Sequence, residues 1–270
     1  MLGSVKSIIS SIIINKSLTK QLVKREIKGR YKGSYLGLLW SFITPIFMLI
    51  IYTFVFSVIF QAKWGNNADT NKLEFALLLF SGLLVFNVFA EIISRAPSII
   101  TSNANYVKKV VFPLEILPIV SLGSALFHAF ISLIVLILSM FLLIGTLHWT
   151  IILFPLVLLP ICLISLGLSW FLASLGVYIR DIGQVINIIV SALMFLSPIF
   201  YPISAIPKEM QFLYYFNPIS YAVEDTRRTI IWGQLPHWNW LGYGMLVGIV
   251  VALFGYIWFK KTRKGFADVL

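Results

Sequence analysis

Residue types that carry chemistry are sparse in this chain and mostly of one sign. Lys16, Lys20, Lys24 and Lys28 recur at every fourth position, which at about 100° per residue sets them on a drifting ridge along one side of a helix. Arg25, Arg30 and Lys32 thicken the cluster, Leu18 and Leu22 fall nearly opposite, and Val23 and Ile27 return toward the basic side. Such an imperfectly amphipathic helix suits the headgroup level of a membrane, where it attracts anionic lipid. Catalytic chemistry has less to work with. His128, His148 and His237 lack metal-ligand spacing, there is neither a Ser-His-Asp arrangement nor paired carboxylates, and Cys162 stands alone in an apolar run. No catalytic residue, metal site or bound cofactor is expected. The phosphate-cradling pattern G-x-x-x-x-G-K-[ST] is missing, so the chain is not expected to be an ATPase. Glu91 is the best intramembrane acid, too little for ion-coupled transport, and no two halves match as they do in many secondary transporters.

The elements that must position these groups follow from composition. The 270 residues are 59% hydrophobic, 15% aromatic and 11% charged, with a mean hydropathy of +0.94. A soluble domain needs about 25% charged residues to build its surface, so the soluble-enzyme and nucleic-acid classes are excluded. The expected fold is all-α and integral to the membrane. Apolar runs at about 34–60, 75–94, 115–145, 150–177, 183–201 and 241–259 are each long enough to cross a hydrocarbon core of about 30 Å. Residues 1–33 form a separate interfacial segment before this six-helix domain. The apolar run Ile8 to Ile14 is short, lacks a cleavage site and leads into the basic stretch, so it reads as retained.

With six crossings both termini share one side. That side takes Lys6, Lys16, Lys20, Lys24, Arg25, Lys28, Arg30 and Lys32, then Arg95, Lys108, Lys109, Arg180, Lys260, Lys261, Arg263 and Lys264, against Lys63, Lys72, Lys208, Arg227 and Arg228 opposite. The excess marks the cytoplasm.

The connections carry further signals. Gly29, Gly33 and Gly37 at four-residue spacing suggest a small-residue stripe for close helix packing. Residues 97–109 are too polar to cross and long enough for a short helix, and Pro113 stands where span three begins. Arg180 and Asp181 form an adjacent charge pair in a short turn. After Ser197-Pro198 about 40 residues precede the last span. Within them Pro207–Phe216 reads as a short helix, Asn217-Pro218 as a break, and Tyr221–Trp232 as a second helix. Two such interfacial or partly re-entrant helices need protein or water cover where they dip into the bilayer. Trp238 and Trp240 mark the outer aromatic belt.

Taken together, Lys24-Arg25-Glu26-Ile27-Lys28-Gly29-Arg30-Tyr31-Lys32-Gly33-Ser34-Tyr35-Leu36-Gly37-Leu38-Leu39-Trp40-Ser41 with Pro45 resembles the signature of membrane subunits of type-two ABC exporters of bacterial cell-surface polysaccharide. Lys108–Pro118, Arg180-Asp181-Ile182 and Asn217-Pro218 extend the resemblance over essentially the whole chain. It implies a homodimer with a central channel, joined to two copies of a separate ATPase that holds ATP and Mg, in the bacterial inner membrane with both termini cytoplasmic. It implies that 97–109 couples to the ATPase through Ser98, Thr101, Asn103, Asn105, Tyr106 and Lys108, with Arg180 and Asp181 nearby, and that 203–232 forms gate helices. The implied cargo is a glycan on a polyprenyl diphosphate. Its diphosphate would enter at Lys24, Arg25, Lys28, Arg30 and Lys32, since Arg and Lys bind concentrated negative charge. Spans one and five would line the path. Aromatic faces let sugar rings slide, and these spans supply Tyr35, Trp40, Tyr52, Phe56, Phe60, Phe195, Phe200 and Tyr201, alongside Phe42. The form of the first motif is closest to O-antigen-type exporters. Teichoic acid, capsule, drug or lipid cargoes stay open, as does a membrane glycosyl- or phosphotransferase, for which Asp181 lacks a second neighbouring acid.

Overall fold

The computed structural model describes residues 13–59, 64, 72–108 and 112–270, and no strand occurs among them. The helices are α1 (Lys16–Arg30), α2 (Trp40–Tyr52), α3 (Lys72–Arg95), α4 (Ala104–Lys108), α5 (Ile116–Leu143), α6 (Phe154–Tyr178), α7 (Ile182–Phe195), α8 (Phe212–Tyr215), α9 (Pro218–Ile230), α10 (Trp238–Thr262) and α11 (Phe266–Val269). Five apolar stretches, Gly37–Phe56, Leu73–Ser98, Ile116–Leu143, Trp149–Tyr178 and Trp238–Val269, are long enough to span. The chain is thus an all-α, multi-pass membrane protein.

The fifth expected span, 183–201, is helical only to Phe195. Its 14 residues rise about 21 Å at ~1.5 Å each, short of the hydrocarbon thickness. Pro198 ends it by disfavouring helical backbone at Ser197, and irregular chain follows. The outer segment also departs from expectation. Residues 207–216 fold as a single 3-10 turn, Lys208–Met210, and the four-residue α8. Asn217-Pro218 starts the next helix instead of merely breaking the previous one: Asn217 Oδ1 accepts from Ile219 N at 3.0 Å and Pro218 takes the first turn, where its missing N–H costs nothing. Pro113 lies ahead of α5, whose first turn holds Pro118 instead.

α3 is the axis of the bundle and the most buried of the five spans. It packs on α5, α6, α7 and α9 through Leu77, Leu79, Val85 and Ile92. α6 and α10 form the closest pair. A side chain on Gly255 would overlap the carbonyl of Gly167, and one on Gly167 the backbone at Val251. Bare backbone contact of this sort replaces the hydrophobic drive that is missing between helices in lipid. Gly29, Gly33 and Gly37 do not play that part. Nothing lies within 4 Å of a Cβ built on any of them, and Gly33 (φ +87°) and Gly37 (φ +51°) are left-handed. Gly33 and Gly37 turn the chain from α1 into α2, a conformation that only glycine adopts without cost, and Gly29 stays within α1.

Candidate functional site

On the basic side, α1 lies against α5. Leu22 is buried with Ile116 and Val120, and Val23 meets Gly123 at 2.8 Å from a built Cβ. The leucine face expected from the sequence is therefore the packed one. Arg30 donates to Glu91 of α3; Arg95 sits 2.5 Å from Glu26 and 3.6 Å from Glu91. This alternating chain of four charges fastens α1 to the end of α3. Arg30 is thus held by a carboxylate, whereas Lys24, Arg25, Lys28 and Lys32 line an open concave surface of α1 of about 560 Å³. Arg25 also lies 5.8 Å over the ring of Tyr106.

The 97–108 stretch is a run of tight turns, Ala96–Ser98 and Thr101–Asn103, ending in α4; Lys109 lies outside the described residues. Ile99 and Ile100 anchor it among Leu117, Trp170 and Phe266, and Pro97 fits against Gly176 so closely that a Cβ there would overlap its carbonyl. The segment is thereby seated on the corner between α6 and α7. Arg180 and Asp181 lie at that corner, both exposed and without the ion pair that their adjacency suggested. Within the segment, Ser98, Ser102, Asn105 and Lys108 are exposed, whereas Thr101, Asn103 and Tyr106 are half-buried. Asn103 Nδ2 donates to Ile99 O at 2.9 Å and Tyr106 stacks on Phe112 at 4.3 Å, so these two side chains hold the segment's own shape.

The candidate path residues fall into two groups. Tyr35 is fully exposed, while Trp40 and Tyr52 border a cavity between α2, α3 and α5. Farther along, Phe56, Phe200 and Phe195 stack in series at 5.6 and 5.7 Å. Tyr201 donates to Phe195 O and pairs with Tyr214 Oη at 2.8 Å. Phe60 lies outside the described residues. Sequence reasoning missed the polar half of α7: Gln184, Asn187 and Ser191 are exposed along one face, at spacings of three and four that were readable as a helical stripe.

Sequence reasoning counted Arg227 among the outer-side charges and did not foresee that it is fully buried. Its Nε donates to Leu78 O (3.1 Å), Nη1 to Pro198 O (2.7 Å) and Nη2 to Ile199 O (2.8 Å), with Trp64 4.2 Å across its face. Asn217 Nδ2 donates to Ser197 Oγ at 2.9 Å. The broken backbone after α7 thus receives the donors that a bilayer would deny it. Burial lowers the Arg227 pKa to about 10, against the opposing pull of Glu224, so the guanidinium stays charged at neutral pH. Asp225 Oδ1, also buried, accepts from His237 N at 3.1 Å and ties α9 to the start of α10. Among the described residues no group of His, Cys, Asp and Glu could hold a metal ion.

A family model described as "ABC-2 type transporter" matches residues 17–231. The chain is similar to an O-antigen export system permease protein RfbA of Klebsiella pneumoniae, with 25% identity over 86% of both chains. To a Myxococcus xanthus protein of the same name it is 27% identical over 85% of this chain and 86% of that one. The polysialic acid transport protein KpsM of Escherichia coli is 24% identical over 84% and 86%.

Proposed function

This chain belongs to the ABC-2 type transporter family, and we propose that it is the permease subunit of an ATP-driven polysaccharide exporter. In this reading two copies enclose a passage, two copies of a separate ATPase sit on the basic side, and a polyprenyl-diphosphate-linked glycan of O-antigen type moves outward across the bacterial inner membrane. Both termini are cytoplasmic, where the basic residues concentrate. The observation that carries the reading is the uncovered face of α7. Gln184 and Asn187 on that face would each cost free energy against hydrocarbon, whereas Ser191 Oγ donates to Asn187 O at 2.8 Å, so the face borders water or polar cargo. The stacked Phe195, Phe200 and Phe56 continue it with surfaces that hold sugar rings weakly. At the other end, Lys24, Arg25, Lys28 and Lys32 present unneutralised charge to a diphosphate, and Ser98, Ser102, Asn105 and Lys108 form the exposed edge that an ATPase groove would grip.

The test is purification of the tagged chain from its native membrane in mild detergent, with mass spectrometry of what accompanies it. A stoichiometric subunit carrying a nucleotide-binding loop is expected, and loss of the chain should leave lipid-linked glycan accumulating inside the cell. Recovery of the chain alone, or only with sugar-transferring enzymes, would overturn the reading.

A further inference from the structure

An open cavity of about 530 Å³ lies between α2, α3 and α5, at the level where α1 turns into the membrane. Its walls are graded. Arg30, Tyr31 and Glu91 stand at one end, Asn87 and His128 come next, and Trp40, Met48, Phe80 and Leu84 make the rest apolar. On α3 this gradient is a single ridge, since Arg95, Glu91 and Asn87 are spaced four apart, each step about 6 Å deeper. Ala125 and Ala129 on α5 keep the slot open.

Two side chains that line it, Asn87 and Glu91, keep hydrogen-bonding capacity to spare. Asn87 is exposed on a helix otherwise buried around it and makes no hydrogen bond among the described residues. His128 Nε2 is closed off from the open space and has no partner among the described residues. Arg30 and Arg95 both meet Glu91 through Oε1, which leaves Oε2 to the cavity. An amide with no hydrogen bond, and a carboxylate oxygen that its arginine partners do not reach, are costly at this depth unless something polar joins them. The occupant must also be apolar farther in, and it must suit a lining whose formal charges, Arg30 and Glu91, cancel.

We propose that this cavity holds one zwitterionic glycerophospholipid with a primary ammonium headgroup. Its phosphate accepts from the Arg30 donors that Glu91 leaves free, and its ammonium donates to Glu91 Oε2 and Asn87 Oδ1. The acyl chains pass along Trp40, Met48 and Phe80 into the bilayer. A diphosphate fits poorly, because its charge would lie beside Glu91 in a low dielectric. A quaternary ammonium lacks the N–H donors. The lipid would fill the space behind α2 and help fix the angle between α1 and α2, and this inference does not depend on what the protein exports.

The test is quantitation of lipids retained by the purified chain, with whatever subunits accompany it, after prolonged detergent washing. About one phosphatidylethanolamine per chain is expected. N87L, which breaks no bond within the protein, should lower retention at least fivefold, and E91Q should act likewise. A second measurement uses S132C, because Ser132 lines the cavity and Cys162 is buried. In mixed micelles phosphatidylethanolamine should slow its maleimide labelling at least fivefold and phosphatidylcholine should not. Equal protection by both lipids, unchanged retention in N87L, or a retained phosphatidylglycerol or polyprenyl diphosphate would each overturn the assignment. The last result would do so while strengthening the exporter reading.

Discussion

Three carbonyls from two segments converge on the guanidinium of Arg227, and a lysine in its place could reach only part of that fan. Arginine offers five donors in a fixed fork; lysine offers a compact point charge. Arg227→Lys keeps the charge and strands at least one buried carbonyl, a loss of about 2–4 kcal/mol. The expected outcome is a clear fall in the thermal unfolding midpoint in detergent, with Arg228→Lys as the control, because Arg228 donates to a single carbonyl among the described residues, Leu235 O at 3.0 Å near the surface. Equal midpoints for the two variants would show that the fork is dispensable. Nothing in the local sequence separates these adjacent arginines. One turns inward and the other outward according to where the backbone breaks at Ser197-Pro198, about thirty residues earlier, and that is a tertiary fact.

At the scale of the helix, hydropathy made the long spans legible because a segment that must satisfy its own backbone in lipid has few alternatives to a helix. The corners were not legible. Gly29, Gly33 and Gly37 share their spacing with a packing stripe, yet two of them adopt positive φ and serve a turn, while the glycines that do pack, Gly167 and Gly255, lie far apart in sequence on α6 and α10. Gly255→Val should force that pair apart, at a cost of about 1–3 kcal/mol or more, read as lost folded protein on size exclusion; Gly29→Val, at an open helical position, should be tolerated. The 97–108 segment, proposed to couple to an ATPase, divides in the same manner. The sequence marked Ser98, Thr101, Asn103, Asn105, Tyr106 and Lys108 together, but only part of that group faces outward. Asn105→Trp should therefore reduce recovery of the ATPase with the chain at least fivefold while the permease stays folded, whereas Tyr106→Ala should first lower stability. If Asn105→Trp left the association unchanged, the outward edge would not be the docking edge.

Across the whole molecule, α2 and α10 both leave broad surfaces uncovered, but the exposed residues of α10 include Tyr243, Leu246, Val250 and Phe254, a face suited to lipid. The face of α7 mixes Ile188 and Ile189 with Gln184, Asn187 and Ser191. A second copy placed against α2 and α7 would cover the apolar part and leave the polar stripe on water at the centre. Because Cys162 is buried, single introduced cysteines can be read without background. In the assembled complex, Asn187→Cys should react with a charged, membrane-impermeant thiol reagent, and Ile188→Cys should cross-link to its counterpart on mild oxidation, giving a dimer band on a denaturing gel. Leu246→Cys should do neither, since a charged reagent does not enter hydrocarbon and in that arrangement the α10 faces of the two copies would point apart. A cross-link through Leu246→Cys with none through Ile188→Cys would place the dimer axis on the opposite side of the bundle. The polar stripe of α7 would then have to meet some other partner than a central passage.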